Sequence, residues 1–246
     1  MSDKFIDKPT KIREDEELDI ARLSNYLSNF LDINQSDFEI LQFPSGFSNL
    51  TYLIKSNQKE YILRKPPLGA QIKSGHDMSR EYKVLSALKN NYEKSPIPIH
   101  YCDDFDITGS DFYIMERIRG TVLRSNNFKK ILTNKTQYDF IASEFVDTLV
   151  ELHKLEIEKI GLSEFGRPSG YCERQVKGWS KRYQNSKTHD FPEINFVINW
   201  LNNNIKESPY VSLIHNDYKY DNLVLDSNTL AVKSVLDWEM CTTGDP

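Results

Sequence analysis

A change of period along the chain constrains the fold more than any other feature. Between Phe38 and Pro66, short runs rich in β-formers (Phe38 to Leu41, Leu50 to Ile54, Tyr61 to Arg64) alternate with the turn-forming segments Pro44-Ser45-Gly46 and Ser56-Asn57-Gln58. That spacing predicts an antiparallel meander. Tyr82, Leu85 and Leu88 then recur at helical spacing, predicting a helix over about 77–90, and Pro96 and Pro98 break the chain before an aromatic strand pair ending at Phe112 to Met115. After Gly120 the period becomes helical. Ile141, Phe145 and Leu149 lie four apart, as do Ala142, Val146 and Val150, which predicts a buried helix over about 137–154. Further helices are expected near 173–185 and 193–206. The last stretch returns to strands, with Val211 to Ile214, Leu223 to Leu225 and Val232 to Leu236. Ahead of all this, residues 1–14 read as a loose polar arm and about 15–32 as a helix with Leu23, Tyr26, Leu27 and Phe30 on its apolar face. The expected organisation is α+β in two lobes: an arm and helix (1–36), a small lobe of antiparallel sheet plus helix (37–118), and a mostly helical lobe (119–246).

Charge and composition exclude several classes of function. Lys plus Arg number 31 against 36 Asp plus Glu, a net charge of -5, so no basic field is present to neutralise a nucleic-acid backbone. The apolar runs are too short to span a membrane, and the N-terminus has no apolar stretch like that of a signal peptide, which together predict a cytoplasmic protein. Cys102, Cys172 and Cys241 are an odd set without CxxC spacing, read as three buried thiols in a reduced compartment and not as a zinc site or disulfide framework.

His215-Asn216-Asp217-Tyr218-Lys219-Tyr220-Asp221-Asn222 fits H-x-D-x-x-x-x-N, in which the Asp deprotonates an acceptor hydroxyl and the Asn binds a metal ion. A polar turn with a capping Asp would look similar, but the context favours chemistry. An apolar strand leads in, and a hairpin with Ser227-Asn228 at its tip brings Asp237 back beside Asn222. Asn222 and Asp237 are hard oxygen ligands of the kind magnesium takes along with triphosphate oxygens and water. Lys219 points the same way as Asp217 if the chain is extended there, where it could neutralise charge on a transferring phosphoryl group; the alternative is a solvated surface lysine.

Upstream, Ser45-Gly46-Phe47-Ser48-Asn49 lies between two strands and offers a small, donor-rich backbone for phosphates, through Gly46, Ser48 and Asn49. Arg64 ends the next strand and Glu81 lies on the following helix. A strand ending in a cation, followed by a helix bearing a carboxylate, is the order of parts in a kinase small lobe. Lys65 is the rival cation, but strand alternation sends it to the other face from Ile62 and Arg64. Met115-Glu116-Arg117-Ile118 follows an aromatic strand and precedes Gly120; as a connector, Glu116 and Ile118 would present backbone groups beside an apolar slot suited to adenine, though an edge strand would read alike.

With these parts in order, the chain resembles the aminoglycoside phosphotransferase-like family of small-molecule kinases from about Phe38 to Pro246. The resemblance rests on Tyr61 to Pro67, Arg80-Glu81-Tyr82, His215 through Asn222, and Leu236-Asp237-Trp238-Glu239 with Gly244-Asp245-Pro246. Phe165 to Tyr171, then Arg174-Gln175 and Trp179, resemble the kinase domain attached to certain acyl-CoA dehydrogenase family members. The resemblance implies a two-lobed protein-kinase-like fold, ATP and magnesium as cofactors, Asp217 as catalytic base with Lys219 beside it, Asn222 and Asp237 on the metal, and Arg64 with Glu81 holding the triphosphate. Arg64 stands where protein kinases use Lys, and Asp237-Trp238-Glu239 replaces Asp-Phe-Gly. Family members continue past the equivalent of Asp245-Pro246, which reads as a helix start, so the helical lobe is expected to be incomplete.

The function expected is transfer of the ATP γ-phosphoryl group to a hydroxyl of a small molecule. The branch resemblance points to a hydroxyacyl-CoA or hydroxy acid, with Arg167 and Arg174 facing its negative charges. The same segment could be plain packing, with Tyr171 and Trp179 in the core and Arg174 solvated. Rival readings are a nucleotide-binding module without catalysis, an aminoglycoside or other small-alcohol kinase, and a protein kinase; the last lacks an Ala-Pro-Glu segment. The sequence leaves the oligomeric state open.

Overall fold

The N-terminal helix is shorter than its apolar pattern suggests. Helix α1 (Ile20–Leu27) starts at Asp19, whose side chain accepts from the Arg22 N–H at 2.9 Å, a standard N-cap. The acidic run before it is not helical, because its polar groups are used elsewhere: Glu16 pairs with Arg13 at 2.7 Å, and the Glu16 carbonyl accepts from the Tyr52 hydroxyl at 2.8 Å. The expectation of a loose arm is also corrected from Ile6 onward. Thr10 and Gln42 exchange backbone hydrogen bonds at 2.7 and 3.0 Å, and Ile6 bridges Thr121. An exposed strand edge carries unpaired backbone groups that need partners, and the arm supplies them.

The computed structural model describes residues 6–44, 49–67, 69, 76–206 and 208–246. They fall into two compact units, the described parts of Met1–Val150 with Asp217–Cys241, and of Glu151–Asn216 with Thr242–Pro246.

In the first unit the meander forms as β1 (Glu39–Gln42), β2 (Leu50–Ser56) and β3 (Lys59–Lys65). Helix α2 (Met78–Leu88) is capped by Asp77, and its buried face is Met78, Glu81, Val84, Leu85 and Leu88. Next come β4 (Pro98–Cys102), a single turn α3 (Phe105–Thr108) and β5 (Phe112–Glu116), closing an antiparallel sheet in the order β1-β2-β3-β5-β4. Leu23, Leu27, Tyr52, Ile54, Leu63, Phe112 and Ile114 share one fully buried cluster. Burial of such a side chain contributes about 1.5–3 kcal/mol. The cluster therefore fixes the register that sets Arg64 of β3 opposite Tyr113 of β5.

Strand β6 (Thr121–Val122), the turn α4 (Phe128–Ile131) and α5 (Lys135–His153) follow. Helix α5 is not buried on both predicted rows: Ile141 is buried with Phe145 and Leu149 half-buried, while Ala142 is exposed, Val146 56% and Val150 41%. The two rows lie about 100° apart on a 3.6-residue helix, and only one of them faces the unit. The second unit contains α6 (Tyr171–Ser186), α7 (Pro192–Asn204) and β7 (Ser212–Ile214). Helices α6 and α7 pack on each other yet bury no residue fully, and Trp179, Phe196 and Trp200 stay more than half exposed. At Asp217 the chain contributes again to the first unit, with β8 (Leu223–Leu225) and β9 (Val232–Val235) in a sheet ordered β6-β8-β9. It ends in β10 (Thr242–Gly244), antiparallel to β7.

Candidate active site

The β8–β9 hairpin brings the two proposed metal residues together. At its tip the Asp226 carboxylate accepts from the N–H groups of Asn228 and Thr229 at 2.9 Å each, an Asx-type turn. Pairing runs back through Leu223 opposite Val235 and continues one step further, where the Leu236 N–H donates to the Asn222 carbonyl at 2.8 Å. Asp237 therefore emerges beside Asn222. Its φ of 68° lies in the left-handed region, which is costly for a residue with a Cβ and recurs where a site dictates backbone direction. Asn222 sits in a 3₁₀ turn (Tyr220–Asn222), and its Nδ2 donates at 2.9 Å both to the Asp217 carbonyl and to Asp217 Oδ2. Lys219 Nζ reaches the same Oδ2 at 2.7 Å, and that hydrogen bond holds the lysine above its ordinary pKa.

Arg64 is the hub of a buried ionic cluster. Its Nε lies 3.3 Å from Glu81 Oε2, and its Nη2 lies 2.9 Å from Asp237 Oδ1 and 3.5 Å from Glu239 Oε2. Burial alone would lower the Arg64 pKa, but the surrounding carboxylates raise it well above the usual value, so the guanidinium stays charged. Glu81 is 1% exposed, and burial pushes its carboxyl up while Arg64 pulls it back. Glu81 Oε1 also accepts from the Trp238 N–H at 3.0 Å, tying helix α2 to the segment that carries Asp237. Lys65, on the other face of β3, donates to the Thr108 carbonyl, and burial lowers its pKa.

These side chains open on one cavity of about 420 Å³ within the first unit. Arg64, Asp217, Lys219, Asn222, Asp237 and Glu239 form its polar wall; Ile62, Met115, Ile118, Val122, Val224 and Leu236 form its apolar wall. The connector Glu116 to Gly120 runs along its rim. Glu116 N–H donates to the Ile97 carbonyl at 3.0 Å, and Glu60 pins Arg117 at 2.8 Å and Arg119 at 2.7 Å. The hydrogen bond from Arg119 is the leading cause that holds the Glu60 carboxyl below its ordinary pKa. Among the described residues no cluster of three or more His, Cys, Asp or Glu side chains is arranged to hold a metal ion unaided. Two protein ligands, Asn222 and Asp237, suit a magnesium ion whose other positions are filled by phosphate oxygens and water. With Nδ2 of Asn222 on Asp217, its Oδ1 is the atom left for a cation.

The structure gathers most of the residues singled out from sequence. Asp217, Lys219, Asn49, Arg64, Glu116, Ile118, Asn222 and Asp237 all line the cavity, and Glu81 supports it from behind through Arg64. Gly46 and Ser48 lie outside the described residues. Arg167 and Arg174 belong to the second unit and are exposed; the Arg174 guanidinium donates to the carbonyls of Ser169 and Arg167. Trp179, the alternative core aromatic, is 60% exposed, with the Arg182 guanidinium 4.7 Å from its ring centre. Two contributors were missed. Glu239 was visible in the quoted Asp-Trp-Glu triplet but had no assigned role. Asp7, whose carboxylate meets Arg124 at 3.1 Å and whose carbonyl accepts from Arg117 at 3.1 Å, sits in a polar arm with no pattern to mark it.

Asp217 beside Lys219, Asn222 returned to Asp237 and a buried Arg64–Glu81 pair, on an α+β scaffold, are arranged as in the protein-kinase-like fold. The chain belongs to the phosphotransferase enzyme family, whose profile matches residues 39–246. It is 34% identical over 227 residues to the human acyl-CoA dehydrogenase family member 11, covering 92% of this chain and 29% of that protein. The chain thus spans about three tenths of the length of such relatives. Among solved structures it superposes with a TM-score of 0.80 on a candidate aminoglycoside phosphotransferase from Ralstonia eutropha, at 28% identity over 94% of this chain and 67% of that one. A streptomycin–ATP–APH(2")-IIa ternary complex shares the fold, with a TM-score of 0.64 at 20% identity, over 94% of this chain and 73% of that one.

Proposed function

We propose that this protein transfers the γ-phosphoryl group of ATP, with magnesium, to a hydroxyl of a small molecule, and that the acceptor is a hydroxyacyl-CoA or related hydroxy acid. The observation that carries this reading is the common placement of Asp217, Asn222, Asp237 and Arg64 on one cavity that apolar side chains also line. The apolar wall of Ile62, Met115, Ile118, Val122 and Leu236 accepts the flat face of a purine, with the Glu116–Ile118 backbone along its edge. Arg64, kept charged by its carboxylate neighbours, offers a planar fork to phosphate oxygens. Magnesium, held by Asn222 and Asp237, would neutralise charge on the phosphates. The reaction needs little covalent help from the protein, so placement and electrostatics supply most of the rate. The acceptor oxygen attacks phosphorus in line, the bond to the ADP oxygen breaks, and Asp217 takes the hydroxyl proton. Asn222 and Lys219, both on Asp217 Oδ2, hold that carboxylate in place for its role as base.

The ternary complex of APH(2")-IIa contains ATP, which supports the choice of nucleotide. The acceptor choice is supported by the likeness to an acyl-CoA dehydrogenase family member. A cytoplasmic setting is supported by the thiols Cys102, Cys172 and Cys241, all free, and among the described residues no helix is long and apolar enough to cross a membrane. The test is Asp217→Asn, assayed for phosphorylated product by mass spectrometry on hydroxyacyl-CoA, hydroxy-acid and aminoglycoside panels. Turnover should fall by about 10²-fold or more with nucleotide affinity retained. Unchanged turnover would remove Asp217 from the role of base, and robust turnover of an aminoglycoside alone would overturn the acceptor class.

A further inference from the structure

We propose that Glu239 is a positioning residue of this site, holding Asn49, and with it the entry to β2, against the segment that carries Asp237. The inference rests on the nucleotide-binding reading above. Glu239 sits in a 3₁₀ turn (Trp238–Met240) two residues past Asp237, and its side chain is 10% exposed. Its Oε2 accepts from Asn49 Nδ2 and lies 3.5 Å from Arg64 Nη2. Asn49 is 2% exposed and ends the turn between β1 and β2, the turn whose backbone was read as the phosphate-side loop.

The chemistry of these groups fixes the direction of the contacts. A carboxylate only accepts, so Glu239 orients the Asn49 amide with Nδ2 towards itself and Oδ1 away. Asn49 Oδ1 meets His76 Nδ1 at 2.9 Å, and His76 must therefore donate through Nδ1. Asn49 is thus gripped from two sides, by Glu239 after β9 and by His76 immediately before the Asp77 cap of α2. One carboxylate joins three segments that are far apart in sequence: the entry to β2 through Asn49, the end of β3 through Arg64, and the Asp237 segment through the chain itself. Buried hydrogen-bond chains of this kind act cooperatively, and loss of one member leaves the others misdirected. The consequence is that the entry to β2 and the metal-side carboxylate are set at a fixed spacing before any nucleotide arrives. A first shell held this way saves ordering cost on binding.

The experiment is isothermal titration calorimetry with Mg-ATP, alongside thermal unfolding, on wild type, Glu239→Ala, Glu239→Gln, Asn49→Ala, Asn49→Asp and the N49D/E239Q pair. Glu239→Gln keeps an oxygen that can accept from Asn49 and should bind within about threefold of wild type. Glu239→Ala and Asn49→Ala should each weaken binding by about tenfold or more, the equivalent of 1.4 kcal/mol. Asn49→Asp alone sets two carboxylates face to face and should also bind poorly. Pairing it with Glu239→Gln exchanges donor and acceptor and should restore affinity to within about threefold, whereas a role confined to general stability would lower the melting temperature of the folded single variants and leave their affinity unchanged. The inference is overturned if Glu239→Ala binds like wild type, if Glu239→Gln is as weak as Glu239→Ala, or if the N49D/E239Q pair gains nothing over Asn49→Asp. Absence of Mg-ATP binding by folded wild type is a distinct outcome; it would overturn the nucleotide reading and this inference together. Should Glu239→Ala fail to fold, the N49D/E239Q rescue still decides.

Discussion

Replacing Arg64 by methionine keeps an unbranched apolar stem and removes the guanidinium and its charge. In the folded protein this leaves Glu81, Asp237 and Glu239 facing one another without the guanidinium that lies within 3.5 Å of each. Glu81 is the decisive member, since it is 1% exposed and cannot turn to water. Breaking a buried pair by removing one partner costs about 3–5 kcal/mol, and about 2–4 °C of melting temperature goes with each kcal/mol in a chain of this size. The variant should therefore melt about 6–20 °C below wild type near neutral pH. A pH signature separates this cause from general damage. The Glu81 carboxyl is already pushed up by burial, and loss of Arg64 removes the leading influence that pulls it down. An acid whose folded pKa is raised contributes stability that is fully present below its unfolded value and lost as pH rises through the folded one. Arg64→Met should accordingly recover stability as pH is lowered from neutral towards about 5, relative to wild type, and Glu81→Gln in the same chain should abolish that recovery. Circular dichroism melts across this range give the measurement, and the double-mutant cycle should show coupling of about 0.5–3 kcal/mol. Strictly additive effects, or an Arg64→Met melt within about 2 °C of wild type, would refute the reasoning.

Two further outcomes follow from the same geometry. Asp237→Ala should eliminate the magnesium dependence of ATP binding measured by calorimetry, and an unchanged affinity for Mg-ATP would remove Asp237 from the metal set. Glu60, held low by Arg119 and Arg117, contributes stability that is present above its ordinary value of 4.5 and lost as pH falls through its depressed folded value; Glu60→Gln should flatten the acid limb of the melting curve below about pH 4.5, and an unaltered limb would count against the Glu60 contacts with the connector.

The site was legible in sequence because its signals are local. The spacing from Asp217 to Asn222 encodes a tight turn, the β8–β9 run encodes a hairpin, and a hairpin must return Asp237 to Asn222. Alternation along β3 was enough to separate Arg64 from Lys65. The failures share a physical origin in tertiary partners. Nothing within the arm marks Thr10 as the partner of Gln42, because that pairing satisfies an edge strand formed by residues some thirty positions away. The apolar rows of α5 predicted burial on both sides, and only packing decides which row turns inward. The role of Glu239 depends on Asn49, 190 residues earlier, and no spacing rule connects them.

The arm also separates the extent of the family profile from the extent of folding. The family profile begins at residue 39, yet Leu18, Leu23 and Leu27 belong to the same buried cluster as Tyr52, Leu63 and Phe112. A chain begun where the profile begins would uncover that cluster on one side and strip the outer edge of β1 of its partner Thr10. Bare apolar surface next to an unsatisfied strand edge is a template for pairing with other chains. Residues 6–38 thus cover the outer edge of the sheet and one side of its buried cluster, and Asp7 reaches Arg117 and Arg124, residues that line the cavity.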